Sequence, residues 1–407
     1  MLRILLASAT QWPFPARLAH AFASLGARVE AVCIGDSPLH DSDAPVRLHR
    51  FSALRPLSSL ARAIAVAKPD LFVPCDDLMS ELVWKLAAKD PHVAALATHS
   101  LGGSEPFETL TARNAFLDAA AKAGAPAADT IALETDQDLD RALDALGLPL
   151  VIKSDGSWGG GGVVIARTAD AARTALARAR RVSRPIMVLK ALKRRDAALL
   201  ARALAAPRDP RPGAQRFVSG TPATSTLACW QGRLLAAHHF DVVVASGDGT
   251  GPATVVERST SKQMQESART IAARFGLSGL YGLDYIRDAQ GAVHLLEINP
   301  RATPTSHLAL GMGHDLVAAL MSAAGRPTPD RPQLSPKTRI ALFPQEMERD
   351  PSSIHLKTGF HDLPLGDRRL LKALTGKRDV LTRTGTGKTE EFSALPALEG
   401  APHPSGR

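Results

Sequence analysis

Apolar stretches of strand length alternate with amphipathic stretches of helix length over the first ninety residues of the chain. The strand candidates are LRILLA at residues 2–7, ARVEAVCI and LFVPC. Helical patterns lie at residues 16–25, 57–67 and 80–89, and Gly26 ends the first of them. An alternation of this kind predicts a parallel sheet with helices on its faces. The chain is therefore expected to be an α/β protein that begins with such a sheet.

An acidic pair, Asp76 and Asp77, stands just beyond the strand LFVPC. Ligands of open parallel sheets bind outside the carboxyl ends of the strands, so the pair is a candidate for contact with a substrate. Acidic residues at such a position more often cap the helix that follows, and both interpretations stay open. The first strand is followed by SATQWPFP, which has no glycine fingerprint, so dinucleotide binding is not predicted.

Four consecutive glycines, Gly159, Gly160, Gly161 and Gly162, join the strand candidate LVIK to the strand candidate VVIAR. This order indicates an antiparallel hairpin, whereas the phosphate loop of P-loop enzymes opens a helix. The run TGTGKT near the C-terminus also lacks the P-loop spacing, because Thr382 stands where a glycine is needed. Two interpretations of the four glycines remain: a flexible hairpin tip, or a loop whose bare amides close over phosphate oxygens.

A second predicted hairpin, GLDYIRDAQGAVHLLEINPR, carries oxygen ligands on facing strands. It places Asp284 on one strand and Glu297 on the other, and strand alternation puts Asn299 on the same face as Glu297. Two carboxylates and one amide oxygen suit Mg²⁺, which leaves its other positions to phosphates and water. The alternative is that the two acids only pair with nearby arginines. Apolar neighbours on both strands argue against an exposed, merely solvated position.

Charge and cysteine content narrow the function classes. The net charge of +9 favours binding of a polyanion, and nucleotide substrates are one such class. An aromatic content of 4% provides few side chains on which the bases of single-stranded nucleic acid could stack. The basic excess is densest over residues 190–216, which we expect to form a solvated surface. Cys33, Cys75 and Cys229 are too widely spaced for a zinc site or a disulfide framework. With no apolar run near the ~18 residues of a membrane span, a cytoplasmic protein is expected.

The lysine strand, the glycine run and the spacing D–x12–E–x–N–P–R together resemble the ATP-grasp superfamily, which includes D-alanine–D-alanine ligase, biotin carboxylase and the large subunit of carbamoyl phosphate synthase. The resemblance implies an ATP-grasp domain over residues 105–334, with a lid subdomain at about residues 127–220. A Rossmann-like parallel-sheet domain over residues 1–104 would precede it. Residues 335–384 are expected to form a C-terminal extension and residues 385–407 a disordered tail.

The resemblance also implies which residues bind the phosphates of ATP. Lys153 would contact them, and the four glycines would form a lid over the β- and γ-phosphates. Arg113 stands where relatives commonly have another phosphate-binding lysine, and an arginine keeps that charge. Trp158, just before the glycines, would either cover the closed site or serve packing.

The segment QRFVSG resembles the hinge that holds adenine in the superfamily. Gln215 stands where a glutamate is frequent, and backbone groups of Arg216, Phe217 and Val218 would read the base. No acid that could bind the ribose follows soon after Gly220. The hinge is therefore expected to bind adenine, and the ribose contact stays open.

Asp284, Glu297 and Asn299 match the metal ligands of the superfamily, which bind Mg²⁺ or Mn²⁺ beside ATP. Arg301 matches an arginine that often follows them and would face the transferred phosphate or the acyl intermediate. Arg301 and Lys153 are therefore the residues expected to act in catalysis.

The function implied is that of an ATP-dependent carboxylate–amine ligase, an enzyme that forms an amide bond through an acylphosphate and releases ADP and phosphate. Its partners would be ATP and small-molecule carboxylate and amine substrates, with no nucleic acid or membrane. The oligomeric state stays open, and a homodimer is one alternative. Two other functions are also open: phosphorylation of bicarbonate by a carboxylase or carbamoyl-type enzyme, and nucleotide binding by a non-catalytic regulatory protein.

Overall fold

The computed structural model describes residues 1–103, 107–154, 163–180, 184–194, 196–205, 212–247 and 251–376. These residues form three β-sheets, which we call the first, the large and the small sheet. The predicted alternation of strands and helices is confirmed in the N-terminal part. Its elements are β1 (Arg3–Ser8), α1 (Phe14–Ser24), β2 (Arg28–Cys33), β3 (Val46–Arg50), α2 (Pro56–Ala67), β4 (Leu71–Pro74), α3 (Asp77–Ala87) and α4 (Pro91–Leu101), with a 3₁₀-helix at Pro38–Asp41.

The first sheet has the strand order β3-β2-β1-β4, and all of its strands are parallel. Apolar side chains alternate along β1, so that Leu6 packs beneath α1 on one face and Leu5 packs beneath α2, α3 and α4 on the other. Burial on both faces is the usual condition of parallel strands. Because β1 and β4 are parallel neighbours, their carboxyl ends lie at the same edge of the sheet, and Asp76 and Asp77 follow β4 at this edge.

The middle of the chain forms the small sheet, with the strand order β5-β8-β6-β7 and only antiparallel neighbours. β6 and β7 pair directly, which confirms that the strands around the glycine run form an antiparallel hairpin. The glycines themselves and Trp158 lie outside the described residues. The elements of this part are α5 (Phe107–Thr111), α6 (Arg113–Lys122), β5 (Thr130–Ala132), α7 (Asp136–Leu146), β6 (Leu150–Ser154), β7 (Val163–Ala166), α8 (Ala169–Arg180), α9 (Arg184–Arg194), α10 (Ala197–Ala205) and β8 (Pro212–Arg216).

The large sheet has seven strands among the described residues, in the order β13-β12-β9-β10-β11-β14-β15. A two-residue turn at Gln231 and Gly232 joins β9 to β10, and both residues have the positive φ that such turns require, 48° and 80°. The elements of this part are β9 (Gly220–Trp230), β10 (Arg233–Ala245), β11 (Ala253–Arg258), α11 (Lys262–Arg274), β12 (Gly279–Asp288), β13 (Val293–Asn299), α12 (Leu316–Ala323), β14 (Arg339–Ala341), α13 (Gln345–Arg349), α14 (His355–Thr358), β15 (Phe360–His361) and α15 (Arg368–Thr375).

The first and large sheets share a hydrophobic core, which fixes the position of their edges. Leu316 and Leu320 of α12 pack in one cluster with Leu6 of β1 and with Leu280 of β12. Just after β13, the amide of Ala302 donates to the carbonyl of Pro74 at 2.9 Å. The end of β13 therefore lies directly against the end of β4, and the candidate site is built at this junction.

No helix among the described residues is both long enough and apolar enough to span a membrane. Cys33, Cys75 and Cys229 are buried free thiols. Residues 385–407, predicted to be a disordered tail, lie outside the described residues.

Candidate functional site

The oxygen ligands predicted on the second hairpin meet on one face of the large sheet. Asp284 of β12 and Glu297 of β13 are direct partners in the antiparallel register, and Asn299 faces Gly282 one step further along. The Asn299 side-chain amide donates to Asp284 Oδ2 at 2.8 Å. The structure therefore brings together all three residues that the sequence proposed as metal ligands.

The electrostatics of the two carboxylates differ. Burial and the negative charge of Glu297 raise the pKa of Asp284 to about 6. Burial also acts to raise the pKa of Glu297, but the positive charges of Arg113 and Lys153 outweigh it and hold this pKa below its usual range. Two neighbouring carboxylates of which one resists ionisation form a site that a cation would stabilise.

Two positive side chains lie against these acids. Arg113, at the start of α6, donates from Nε and Nη2 to Glu297 Oε2 at 3.1 and 2.7 Å. The remaining terminal nitrogen of Arg113, Nη1, is buried and has no hydrogen-bond partner among the described residues. A guanidinium with an unused buried donor suits a further anionic oxygen, so the pairing with Glu297 leaves Arg113 able to bind a phosphate.

Lys153, on β6, supplies the second positive charge. Its Nζ donates to Gln215 Oε1 of β8 at 2.7 Å, and Gln215 in turn donates to Thr130 Oγ1 at 3.3 Å. Burial and the charge of Arg113 lower the pKa of Lys153 to about 8, while Glu297 and Asp284 oppose that shift. The small sheet thus presents Lys153 toward the acids of the large sheet.

The predicted hinge consists of Arg216, the last residue of β8, and of Phe217 and Val218, which follow the strand. The Arg216 side chain turns away from the site, where Nε donates to Asp129 Oδ2 at 2.8 Å, and the Arg216 amide donates to the Asp129 carbonyl at 2.9 Å. Phe217 and Val218 follow in the link to β9 and are partly buried. The Arg216 amide is therefore already bonded to Asp129, and Phe217 and Val218 are the hinge residues that lie outside both strands.

Arg301 lies just beyond the oxygen ligands and is 8% exposed. Its Nη2 donates to Asn299 Oδ1 at 3.1 Å and its Nη1 to the Ala302 carbonyl at 3.2 Å. The guanidinium also lies over the Trp12 ring, 5.4 Å from its centroid. These contacts hold a permanent positive charge beside the oxygen ligands.

The acidic pair after β4 takes two separate roles in the structure. Asp76 accepts the amides of Ala9 at 2.6 Å and Met79 at 3.0 Å, so it caps α3 as acidic residues there commonly do. Asp77 instead accepts from Arg301 Nε at 2.9 Å. No local pattern predicts this second contact, because its partners lie 224 positions apart in the chain.

The chemistry of the donor set fits a hard divalent cation. No three His, Cys, Asp or Glu side chains of the described residues cluster as a metal site, so the candidate set is the two carboxylates with the amide oxygen of Asn299. Oxygen donors in this number leave room for phosphate oxygens in the shell of Mg²⁺.

Residues 112–327, more than half of the chain, match the family described as carbamoyl-phosphate synthase L chain, ATP binding domain. No curated protein sequence is similar enough to be recognised as a relative.

Solved structures share the fold at low sequence identity. N5-carboxyaminoimidazole synthetase from Staphylococcus aureus has a TM-score of 0.55 at 12% identity, over 80% of this chain and 78% of that chain. Biotin carboxylase from Campylobacter jejuni has a TM-score of 0.56 at 14% identity, over 83% of this chain and 74% of that chain. Carboxyaminoimidazole ribonucleotide synthase from Aspergillus clavatus has a TM-score of 0.54 at 17% identity, over 81% of this chain and 78% of that chain. The expected ATP-grasp fold is confirmed.

Proposed function

Because the chain belongs to the family of carbamoyl-phosphate synthase L chain ATP-binding domains within the ATP-grasp superfamily, we propose that it is an ATP-dependent carboxylate–amine ligase acting on small molecules. One observation carries the proposal: two carboxylates and an amide on one hairpin lie together with the positive side chains of Arg113, Lys153 and Arg301 where the three sheets meet. Each of these groups would serve the transfer of a phosphate to a carboxylate.

The first step would join a carboxylate oxygen of the acid to the γ-phosphorus of ATP. The bond between that phosphorus and the bridging oxygen breaks, so that ADP leaves and an acylphosphate remains. The amine nitrogen then attacks the acyl carbon, phosphate leaves, and the nitrogen loses a proton. Catalysis of this kind depends on positioning and charge neutralisation, so no side-chain nucleophile is needed.

Asp284, Glu297 and Asn299 would hold Mg²⁺ or Mn²⁺. When bound, the metal ion neutralises phosphate charge and orients the terminal phosphate. Arg113 would bind a phosphate oxygen through Nη1, its unused donor, while Nε and Nη2 keep their bonds to Glu297. Lys153 Nζ donates one hydrogen to Gln215 Oε1 at 2.7 Å and would offer another to a phosphate oxygen.

Arg301 would face the phosphoryl group during transfer. Its contacts with Asn299 and Ala302 leave further N–H groups on both terminal nitrogens, because each of these nitrogens carries two hydrogens. Gly159, Gly160, Gly161 and Gly162 are proposed to cover the phosphates, and Phe217 and Val218 to bind the base.

The test is an ADP-release screen over amino acids and other small carboxylates, alone and in pairs, with ATP and Mg²⁺. We expect release that requires one acid and one amine together. Release that needs bicarbonate in place of an organic acid would replace this proposal with a carboxylase or carbamoyl-type function. ATP binding without ADP release under any condition would instead indicate a regulatory nucleotide-binding protein.

A further inference from the structure

Two helices, α9 and α10, are inserted between α8 and the last strand of the small sheet. We call them the inserted helical pair. In the chain, these helices lie between elements of the small sheet. Ala201 of α10 is nevertheless buried in the apolar cluster that contains Leu78 and Leu82 of α3. α10 of the inserted helical pair therefore contacts the apolar cluster that the first sheet forms with α2, α3 and α4.

Arg202, next to Ala201, is held among acidic side chains. Burial lowers the pKa of Arg202 to about 10, and the negative charges of Asp77, Asp76 and Glu81 act against that shift. The sequence had suggested a solvated basic surface for this segment. The structure instead places one of its arginines, only partly exposed, over the N-terminus of α3.

Asp77 faces two cationic groups at this point. Its Oδ2 accepts from Arg301 Nε at 2.9 Å, and the charge of Asp77 is the largest of those that favour the charged form of Arg202. Arg301 continues the chain of contacts to Asn299, and Asn299 continues it to Asp284. A connected path thus runs from the inserted helical pair through Asp77 to the oxygen ligands.

We propose that Asp77 is a positioning residue for Arg301, and that the inserted helical pair supplies Arg202 as a second cationic partner of the same carboxylate. This inference rests on the proposed function, because it concerns the arginine assigned to the transferred phosphate. The Asp77 carboxylate binds Arg301 directly and lies in the field of Arg202, so the contact of α10 with the cluster of the first sheet restricts the rotamers of Asp77 and with them the direction of Arg301.

A kinetic double-mutant cycle tests the proposal on the reaction itself, with the acid and amine found in the ADP-release screen. We expect Asp77→Asn to lower kcat about 30-fold, because a misdirected charge near the reacting atoms is costly even when it is retained. Arg202→Gln should lower kcat about 5-fold, and the double variant should be no slower than Asp77→Asn alone, because the two residues act through one contact. The KM for ATP should stay within about 2-fold in all three variants.

The matched control is Glu81→Gln. Glu81 also lies near Arg202, but its partner is Lys85 and not Arg301. Its kcat should therefore equal that of the wild type. Multiplicative losses of kcat in the Asp77/Arg202 cycle, or equal losses in Glu81→Gln and Asp77→Asn, would overturn the positioning role.

A second readout needs no substrate and therefore separates this inference from the proposed function. The shifts in melting temperature of Asp77→Asn and Arg202→Gln should be less than additive in the double variant, and so should those of Asp77→Asn and Arg301→Lys. If the wild type releases no ADP with any combination of acid and amine, the ligase proposal fails. The melting temperatures would still show whether Asp77 contacts both Arg202 and Arg301. Additive shifts in both cycles would show that Asp77 does not join the two arginines.

Discussion

The hairpin of β12 and β13 and the hairpin of β6 and β7 both carry candidate site residues, but they carry them in different places. On the first hairpin the functional side chains stand within paired strands, so the register places Asp284 opposite Glu297. On the second, Lys153 stands near the end of β6 and the glycines fall between the strands. The register of the strands therefore determines where the candidate oxygen ligands lie, whereas the proposed role of the glycines depends on their having no side chains.

This contrast predicts that the reaction depends on the charge of the side chains on the hairpin of β12 and β13. It also predicts that the reaction depends on the absence of bulky side chains between β6 and β7. A change that removes charge without changing shape should stop the reaction when it is made on β13. A change that adds bulk without changing charge should have its main effect at the glycines.

Glu297→Gln should lower the rate of ADP release by about 10³-fold, because the oxygen face loses the negative charge that holds a cation against the triphosphate. The side-chain amide oxygen can still accept from Arg113, so the melting temperature should stay within a few degrees of the wild type. ADP-release kinetics and thermal unfolding measure the two effects.

The control for this variant is Asp288→Asn on the same hairpin. Asp288 pairs with His294 at 2.9 Å, away from the oxygen ligands, so its rate of ADP release should match that of the wild type. Near-normal ADP release by Glu297→Gln would show that the metal assignment is wrong.

Gly160→Val and Gly161→Val should each reduce trapping of the acylphosphate by hydroxylamine about 30-fold, because a β-branched side chain would stand between the amides and the phosphate. ATP affinity should fall less, since the hinge that binds the base is separate. Hydroxamate formation and calorimetric titration with ATP measure the two effects.

Gly366→Val is the matched control, because a Cβ added at Gly366 meets no atom within 4 Å. This variant should trap as much hydroxamate as the wild type. If both lid variants trap as much hydroxamate as the wild type, the four glycines do not cover the phosphates, and the alternative of a flexible hairpin tip is favoured.

Lys153→Met should weaken ATP binding about 10-fold while the structure is kept, because methionine fills similar space without the charge that meets the phosphates. Isothermal titration with ATP measures the effect. Lys122→Met is the comparison, since Lys122 is exposed and pairs with Asp118 at 2.7 Å. Equal affinities in the two variants would contradict the role of Lys153.

Arg216→Ala should have the smallest effect, although Arg216 lies in the hinge. Its exposed ion pair with Asp129 should contribute less than about 1 kcal/mol to the free energy of unfolding, and its side chain points away from the site. Denaturant unfolding and titration with ATP should both give values close to the wild type. A loss of ATP affinity as large as that of Lys153→Met would place the Arg216 side chain in the nucleotide site.

The sequence predicted the parts of the site that follow from local periodicity. Strand alternation placed Glu297 and Asn299 on one face, and the flanking strand patterns predicted the hairpin around the glycines. The first sheet was predicted from its alternation, except for β3, whose sequence VRLHR alternates polar and apolar residues and lacks a continuous apolar run.

The contacts that the sequence did not predict join residues far apart in the chain. The bond between Asp77 and Arg301 spans 224 positions, and the bond between Lys153 and Gln215 spans 62. The first depends on how the first and large sheets pack against each other, and the second on which strands become neighbours within the small sheet. No local pattern records either arrangement. Arg202 was expected to be solvated for the same reason, because nothing in a basic helix indicates that an acidic pair lies opposite.

Transfer of ¹⁸O from a labelled carboxylate to phosphate would reveal the acylphosphate. The acid found in the ADP-release screen is labelled with ¹⁸O in its carboxylate and incubated with ATP, Mg²⁺ and the amine, and the phosphate released is analysed by mass spectrometry. We expect one ¹⁸O atom in each phosphate, because the carboxylate oxygen that attacks the γ-phosphorus leaves with it. Phosphate without ¹⁸O, formed while the amide accumulates, would contradict the acylphosphate and with it the proposed function.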